Sequence, residues 1–347
     1  MKYETRNYLI DNLKAIAILG VIVGHLLGFV NFQNYPVSGM HRFLNLLHVP
    51  LLALLSGLTF SKNNVLKNIR LLLVLLIWHN ILVLVYRFTG SGVKFGLPIY
   101  PLYGTWYLLS LVSWNIMAEH INKLKMPILI SLILSIIVTL TPKVSGIISL
   151  SRTISFFPFF LIGSNFKEIV KFNERSSKVV KVFCLICTVL IYLVVCLYIK
   201  ANGYPDLKMI QHSISYASFM KVSPMKMIAL KLGIYLISIS LCLFLIIITS
   251  SKKSFLSEVG QYSLYPYLIH LAFPRLIKHM DVYSPKWIKT LSTSESVVGI
   301  IILFILAYTF SYLVTRKQFR RTLDFLFNPK LELILKDKTL IEKGKKV

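Results

Sequence analysis

The sequence predicts an all-α polytopic membrane protein with about ten transmembrane helices and with both the N- and C-termini in the cytoplasm. Three observations predict this class. Of the 347 residues, 56% are apolar, and the mean hydropathy is +0.70. Asp, Glu, Lys and Arg make up only 15% of the chain, against roughly 25% in a soluble domain. Long stretches lack charge altogether, which excludes a disordered chain and is not typical of a water-soluble globule.

Ten charge-free windows predict the helices in chain order. A helix needs about 20 apolar residues to cross a bilayer, with a range of roughly 17–25, and most windows reach this length once flanking residues snorkel. The windows are 15–41, 43–61, 71–86, 95–118, 126–142, 153–166, 182–199, 232–251, 259–274 and 296–315. The window 153–166 is short and contains Pro158, so we expect a broken or tilted helix there. The polar stretch at about 200–225 predicts a long loop.

The charge is strongly basic, with 39 Lys and Arg against 13 Asp and Glu and a net charge of +26. Such an excess often indicates nucleic-acid binding. In so apolar a chain, membrane topology explains the excess better, and we expect no nucleic-acid partner. Ten of the basic residues lie after residue 315. By the positive-inside rule this tail places the termini in the cytoplasm. Without the tail, each side of the membrane carries 14 basic residues.

We expect one transmembrane domain at 1–315, followed by a basic cytoplasmic tail at 316–347. The first apolar stretch is long and is not followed by a small-x-small cleavage site, so it predicts an uncleaved first span rather than a signal peptide. The Lys- and Ile-rich composition favours a bacterial source, and therefore a multi-pass protein of the bacterial plasma membrane.

Few residues suit metal or carboxylate chemistry. Only Glu4 and Asp11 are acidic through residue 118, which argues against a carboxylate pair or a hard-metal site in the first third. All four cysteines lie in apolar windows, and Cys184-x-x-Cys187 has no second ligand pair, so we expect inert thiols and no metal. Histidine is then the side chain suited to proton transfer near neutral pH, and an ionisable residue within a span is a functional candidate by default.

Lys14 and His25 form the most informative pair in the first span. Eleven positions separate them, so they lie on one face of a helix, roughly 16 Å apart along its axis. One helix face therefore carries a cation near the cytoplasmic end and an imidazole in the outer half. Asp11 lies one turn before Lys14, and an ion pair between these two is the structural alternative.

Six segments occur in an order that resembles a known family. They are Arg6–His25 with Lys14-x10-His25, Leu47–Gly57 (LHVPLLALLSG), Lys67-x-x-Arg70, Thr105–Trp114 (TWYLLSLVSW), Ser151–Gly163 (SRTISFFPFFLIG) and Val259–His270 (VGQYSLYPYLIH). Together they resemble the acyltransferase-3 family of membrane O-acyltransferases, and within it the branch of fucose O-acetylase-like proteins. The first segment is similar to the basic-x10-His motif of that family. The matches run from residue 6 to about 270, which is nearly the whole chain.

The resemblance implies transfer of an acetyl group from cytoplasmic acetyl-CoA to a hydroxyl of an extracytoplasmic or lipid-linked carbohydrate, without a metal. It also implies roles for three groups of residues. In the first group, His25 is the general base and Ser56, Tyr107 or Arg152 is the oxyanion donor. The second group, Lys14, Lys67 and Arg70, binds the phosphates of CoA. The third group, His48, Trp106 and His270, binds the acceptor. We expect direct transfer, with an acyl-enzyme on His25 or on a serine as the variant.

Two other functions stay open for the sequence alone. A transporter or flippase of a lipid-linked sugar would explain many spans and buried charges, but it predicts inverted halves or helices broken at matching places. A structural or sensory membrane protein would not need a cationic layer aligned with an outer histidine. The expected partners are membrane lipid, acetyl-CoA and a carbohydrate acceptor. The identity of the acceptor and any homo-oligomer are left open.

Overall fold

The computed structural model describes residues 6–29, 35–62, 65–144, 147–203, 205–279 and 293–331. Every regular element within these residues is helical and none is a strand, which confirms the predicted all-α class. Several short 3-10 turns join the α-helices. In chain order the α-helices are α1 (Tyr8–Phe29), α2 (Tyr35–Leu58), α3 (Val65–Phe88), α4 (Trp106–Ile121), α5 (Pro127–Leu140), α6 (Leu150–Asn165), α7 (Lys171–Arg175), α8 (Lys178–Asn202), α9 (Leu207–Ile210), α10 (Pro224–Ile248), α11 (Ser257–Gln261), α12 (Leu264–Ile269), α13 (Phe273–His279), α14 (Thr293–Thr315) and α15 (Lys317–Phe327).

Six helices in the described part of the chain are long and apolar enough to cross a membrane, namely α1, α2, α3, α8, α10 and α14. The helices α4, α5 and α6 overlap three further windows but have only 16, 14 and 16 residues. The window 259–274 does not form one continuous helix. It is divided among α11, α12, a 3-10 turn and α13, and Pro266 and Pro274 each lie in the first turn of a short helix, where proline is tolerated.

Two details of the predicted helix pattern are wrong. The window 15–41 extends past the end of α1 and into α2, which begins at Tyr35, because absence of charge marks apolar character and not helix ends. Of the two alternatives predicted at Pro158, a broken or a tilted helix, the break is wrong, since α6 continues through this residue. Proline leaves the carbonyl of Ile154 without its helical donor, but packing of α6 against α2, α4 and α5 keeps the helix intact.

The helix α2 lies at the centre of the bundle. Of the residues in its apolar stretch, 83% are buried, against 17% in α8 and 22% in α14. It packs against α1, α6, α8 and α10, whereas α8 and α14 expose rows of large apolar side chains. Such rows suit contact with lipid tails. The polar side chains of α2 are therefore held inside the bundle.

Gly20 and Gly24 of α1 allow α2 to approach closely. A Cβ on Gly20 would lie 3.3 Å from Cβ of His48, and one on Gly24 would lie 3.6 Å from Cε1 of the same imidazole. Small residues one turn apart provide a flat helix face for such packing. The contact fixes His48 beside the helix that carries His25.

Gly57 of α2 and Gly163 of α6 meet where these two helices cross. A Cβ on Gly57 would overlap the carbonyl oxygen of Phe160, and a Cβ on Gly163 would overlap that of Leu54. Only glycine permits this approach of two backbones. The crossing sets the position of both helices that line the site described below.

The predicted cytoplasmic tail begins with α15, which packs on the bundle. Phe327 is buried and stacks on Tyr265 at a centroid distance of 3.9 Å. Arg320 lies over the ring of Tyr262, 3.4 Å from its centroid. The first helix of the tail is therefore attached to the segment α11–α12, and residues 332–347 lie outside the described part of the chain.

We predict that Gly163→Ala destabilises the bundle, because the added methyl group must push α6 away from α2. Overpacking a core costs about 1–3 kcal/mol, so the variant should unfold at a lower temperature than the wild type. Gly233→Ala in α10 is the matched control, since a Cβ there meets no atom within 4 Å. Tryptophan fluorescence of the detergent-solubilised proteins measures both. An unchanged Tm for Gly163→Ala would contradict the close crossing.

Candidate active site

Two cavities follow one another along α1. The larger has a volume of about 390 Å³, and we call it the histidine cavity; its polar lining includes His25, His41, Asn45, His48, Arg152 and Gln211. The smaller has a volume of about 190 Å³, and we call it the lysine cavity; its polar lining includes Lys14, Ser56, Lys67, Tyr107, Asn115 and Tyr267. None of the described residues in either lining is acidic.

The same helices line both cavities at successive levels. On α1, Ile18 borders the lysine cavity and His25 the histidine cavity, and seven residues of helix span roughly 10 Å. On α4, two neighbouring residues border different cavities: Trp106 borders the histidine cavity and Tyr107 borders the lysine cavity. The cavities are therefore consecutive along the bundle and are separated by a thin layer of side chains.

We call this layer the partition, and it consists of Ser56, Tyr107 and Tyr267. Ser56 Oγ and the Tyr107 hydroxyl are hydrogen-bonded at 2.9 Å, and the rings of Tyr107 and Tyr267 meet at a centroid distance of 5.7 Å. The Tyr267 hydroxyl donates to the carbonyl oxygen of Gly104 at 2.6 Å. The partition thus joins α2, α4 and α12 by specific contacts.

His25 is held by a chain of hydrogen bonds from α12. Its Nδ1 lies 2.9 Å from Nε2 of His270, and Nδ1 of His270 lies 2.9 Å from the carbonyl oxygen of Pro266. The two imidazole rings are nearly parallel, with an interplanar angle of 23°, and meet edge to edge through this bond. His270 comes 245 positions after His25 in the chain, so this pair exists only because α12 packs beside α1.

The chain of bonds defines the tautomers of both neutral histidines. A carbonyl oxygen can only accept, so Nδ1 of His270 carries the proton and donates to Pro266. Nε2 of His270 is then an acceptor, and Nδ1 of His25 must donate to it. Nε2 of His25 then carries no proton, and its lone pair is not used by this chain of hydrogen bonds. His25 is half-buried and borders the histidine cavity, and an imidazole nitrogen with a free lone pair can accept a proton.

Tyr103 covers the other side of His25. The two rings lie 4.6 Å apart at an interplanar angle of 52°. Tyr103 has a φ of +49°, a left-handed conformation that is uncommon for a residue with a side chain. Strained residues of this kind are concentrated at functional sites, where the surrounding structure holds them in place.

Arg152 is the cation of the histidine cavity. Its guanidinium carbon lies 4.9 Å from the centroid of the Trp106 ring, a cation–π contact. Its Nε is buried and has no hydrogen-bond partner among the described residues. Because none of the described residues that line this cavity is acidic, the charge of Arg152 has no counter-charge among them.

Lys14 and Lys67 are the cations of the lysine cavity. The alternative pairing of Lys14 with Asp11 is not formed, since Arg6 Nε donates to Asp11 Oδ2 at 2.6 Å. Lys14 is half-buried, and its ammonium is not ion-paired with any described acid. Arg70 is exposed and does not border the cavity. The positive charge of the lysine cavity therefore comes from Lys14 and Lys67.

The structure thus brings together eight of the ten residues singled out from the sequence. His25, His48, Trp106 and Arg152 line the histidine cavity, and Lys14, Ser56, Lys67 and Tyr107 line the lysine cavity. Arg70 and His270 line neither. His270 contacts the site through its hydrogen bond with His25.

Other lining residues were not identified from the sequence. His41 and Asn45 precede His48 at helical spacing on one face of α2, a pattern that was visible in the sequence. Gln211 donates to Asn45 at 3.0 Å and comes from the segment after α9, within the predicted loop at 200–225. No sequence pattern marks Gln211 or Tyr103, because both lie outside the α-helices, Tyr103 in a short 3-10 turn before α4 and Gln211 directly after α9. No group of three His, Cys, Asp or Glu side chains suited to a metal ion occurs among the described residues.

Comparison with known proteins agrees with this geometry. The family model described as an acyltransferase domain matches residues 7–316, a range that holds both cavities and the partition. No curated protein and no solved structure matches the chain. Because the family match covers nearly the whole chain and the fold is a bundle with apolar, membrane-length helices, the protein belongs to the acyltransferase-3 family of membrane acyltransferases.

Proposed function

We propose that this protein is a membrane O-acetyltransferase that moves an acetyl group from cytoplasmic acetyl-CoA to a hydroxyl of an extracytoplasmic or lipid-linked carbohydrate. The observation that carries the proposal is the succession of lysine cavity, partition and histidine cavity along α1. A cationic pocket without acids suits the phosphates of a coenzyme. A pocket lined by histidines suits a hydroxyl that must lose its proton.

In this proposal the lysine cavity opens to the cytoplasm of a bacterial cell, and both termini lie on that side. The basic tail after residue 315 supports this orientation. Ten helical segments then cross the plasma membrane, with the short helices α4, α5 and α6 and the broken segment α11–α13 added to the six long helices. The short segments lie against longer neighbours, which shield their ends from lipid.

The lysine cavity accepts only part of the donor. Its volume of about 190 Å³ is below the ~300–1,000 Å³ of a typical ligand pocket, so it holds the narrow pantetheine arm and not the whole coenzyme. Lys14 and Lys67 bind phosphate at its mouth. Arg70, one turn beyond Lys67 and exposed, is available to the part of CoA that stays outside. The thioester then reaches the partition.

The reaction follows from the position of the free nitrogen of His25. The acceptor hydroxyl lies in the histidine cavity and donates to Nε2 of His25. Its oxygen attacks the thioester carbonyl carbon while its proton passes to His25, and the carbon–sulfur bond then breaks. The leaving thiolate takes the proton back from His25. His270 and the Pro266 carbonyl hold the imidazole in the correct tautomer throughout.

The hydroxyls of Ser56 and Tyr107 are placed to stabilise the oxyanion. They form one hydrogen bond with each other, which uses one of their two protons and leaves the other free to donate. A preorganised donor of this kind favours the tetrahedral state over the thioester. Attack by the acceptor itself needs no acyl-enzyme, because donor and acceptor reach the partition from opposite sides. The flippase alternative gains no support from membership of an acyltransferase family.

We predict that His25→Asn lowers acetyl transfer from radiolabelled acetyl-CoA to envelope glycan by about 10²–10⁴-fold, the usual contribution of a general base. His270→Asn should cause a smaller loss, because His25 keeps its nitrogen but loses its orientation. The assay uses membranes that contain equal amounts of each variant.

His79→Asn is the matched control, since His79 is a buried histidine that borders neither cavity, and it should retain activity. Wild-type activity in the His25→Asn membranes would overturn the assignment of the base. Loss of activity in all three variants would show that a general structural effect had been measured instead.

We predict that Lys14→Gln raises the KM for acetyl-CoA roughly tenfold or more, since a hydrogen bond to a charged group contributes about 1.5–3 kcal/mol. The KM for the glycan should not change. Lys62→Gln is the control, because Lys62 is exposed and lies between α2 and α3 without bordering either cavity. An unchanged KM for acetyl-CoA in Lys14→Gln would place the donor elsewhere.

A further inference from the structure

The charge of Arg152 is not accounted for by the transfer reaction described above. The base is His25, the oxyanion donors are Ser56 and Tyr107, and the donor's phosphates are bound at the far end of the lysine cavity. Arg152 instead lies in the histidine cavity, where its buried Nε has no partner among the described residues. Arg152 is half-buried, and a buried donor without a partner is costly, so its presence points to a ligand that supplies an acceptor and a negative charge.

The contact between Arg152 and Trp106 leaves N–H donors of the guanidinium available. The guanidinium carbon lies 4.9 Å from the centroid of the indole ring, a cation–π contact that uses no hydrogen bond, and Nε has no hydrogen-bond partner among the described residues. The N–H groups of a guanidinium form paired hydrogen bonds with the two oxygens of a carboxylate or phosphate. The indole ring restrains the group, which lowers the entropy lost on binding.

The surroundings of Arg152 also favour an anion. Arg152 lies in the first turn of α6, where the backbone N–H groups form the positive end of the helix dipole. The nearest described acid along the loop over this cavity is Asp206, which is exposed and accepts from the backbone N–H of Lys208 at 2.9 Å to cap α9. It does not border the cavity, so no carboxylate among the described residues competes for the site.

We propose that the acceptor is an anionic carbohydrate, with a phosphate or carboxylate group bound by Arg152 while a nearby hydroxyl is acetylated at His25. This inference rests on the proposed function and specifies its substrate class. The amides of Asn45 and Gln211 and the imidazoles of His41 and His48 line the rest of the cavity, and they bind the neutral hydroxyls of the sugar. A volume of about 390 Å³ is at the lower end of the ~300–1,000 Å³ range of ligand pockets, so only the end of a longer glycan enters.

The test uses the whole protein in lipid vesicles with radiolabelled acetyl-CoA and envelope glycans from the cells that make it. Anion-exchange chromatography separates these glycans into a neutral and an anionic fraction. Part of the anionic fraction is treated to reduce its carboxylates to alcohols, and another part is treated to remove its phosphates. We expect label in the anionic fraction and a loss of roughly 10- to 100-fold after the treatment that removes the recognised group. The treatment that removes activity identifies phosphate or carboxylate as the source of the charge.

Variants of Arg152 give the second measurement. Arg152→Gln should raise the KM for the anionic glycan roughly 10- to 100-fold, with no change in the KM for acetyl-CoA, and Arg152→Lys should recover part of the loss. The variant should also lose the preference for untreated over treated glycan. Arg275→Gln is the matched control, because Arg275 also makes a cation–π contact, 5.1 Å from the centroid of the Tyr86 ring, but donates to Thr89 and borders neither cavity.

The outcomes separate this inference from the function on which it rests. Label in the neutral fraction alone, or equal labelling after both treatments, would overturn the anionic acceptor while leaving the acetyltransferase in place. An equal fall in kcat on treated and untreated glycan for Arg152→Gln would make Arg152 an oxyanion donor instead and would also overturn it. No label in any fraction with the wild type would overturn the acetyltransferase itself.

Discussion

The close packing of α2 and α11 against α1 is the constraint on which the rest of the structure depends. Gly20 and Gly24 admit His48 from α2, and Gly260 of α11 lies so close to α1 that a Cβ there would overlap the carbonyl oxygen of Asp11. The second contact brings the broken segment α11–α13 alongside α1, and His270 with it. Larger side chains at these glycines would separate His25 from the group that orients it.

The scarcity of acidic residues explains how both cavities keep their positive character. With 13 Asp and Glu in the chain, the described acids that do form ion pairs border neither cavity, as in the pair of Arg6 with Asp11 at the start of α1. A carboxylate in the lysine cavity would repel the phosphates of a coenzyme, and one in the histidine cavity would neutralise Arg152. In the proposed mechanism, histidine therefore takes the role of base, and a second histidine and a backbone carbonyl replace the carboxylate that orients the base in many hydrolases.

Sequence reasoning was most successful where the signal is local. The spacing of Lys14 and His25 predicted one helix face, and the structure places these residues in two cavities along that face. Hydropathy predicted where the helices lie but not their ends, so the window 15–41 joined parts of two helices. Of the broken or tilted helix expected at Pro158, the break was wrong because tertiary packing outweighs a single lost hydrogen bond.

What the sequence could not provide is contact between distant segments. The partner of His25 is separated from it by 245 positions, and no periodicity relates them. Tyr103 and Gln211 lie outside the α-helices, in segments whose path depends on the helices beneath them. The lack of a counter-charge for Arg152 among the described lining residues is likewise visible only when the cavity lining is known, since in the sequence this residue resembles an ordinary interfacial charge.

The central claim is that donor and acceptor enter from opposite faces of the membrane and meet at the partition. Single cysteines test it most directly, at Gln211 in the histidine cavity and at Thr59 in the lysine cavity, in a variant whose four native cysteines are replaced. We expect a membrane-impermeant maleimide to label Gln211→Cys in intact cells. Thr59→Cys should be labelled only in inverted vesicles and should be protected by CoA. Labelling of both positions from the same face would contradict entry from opposite faces.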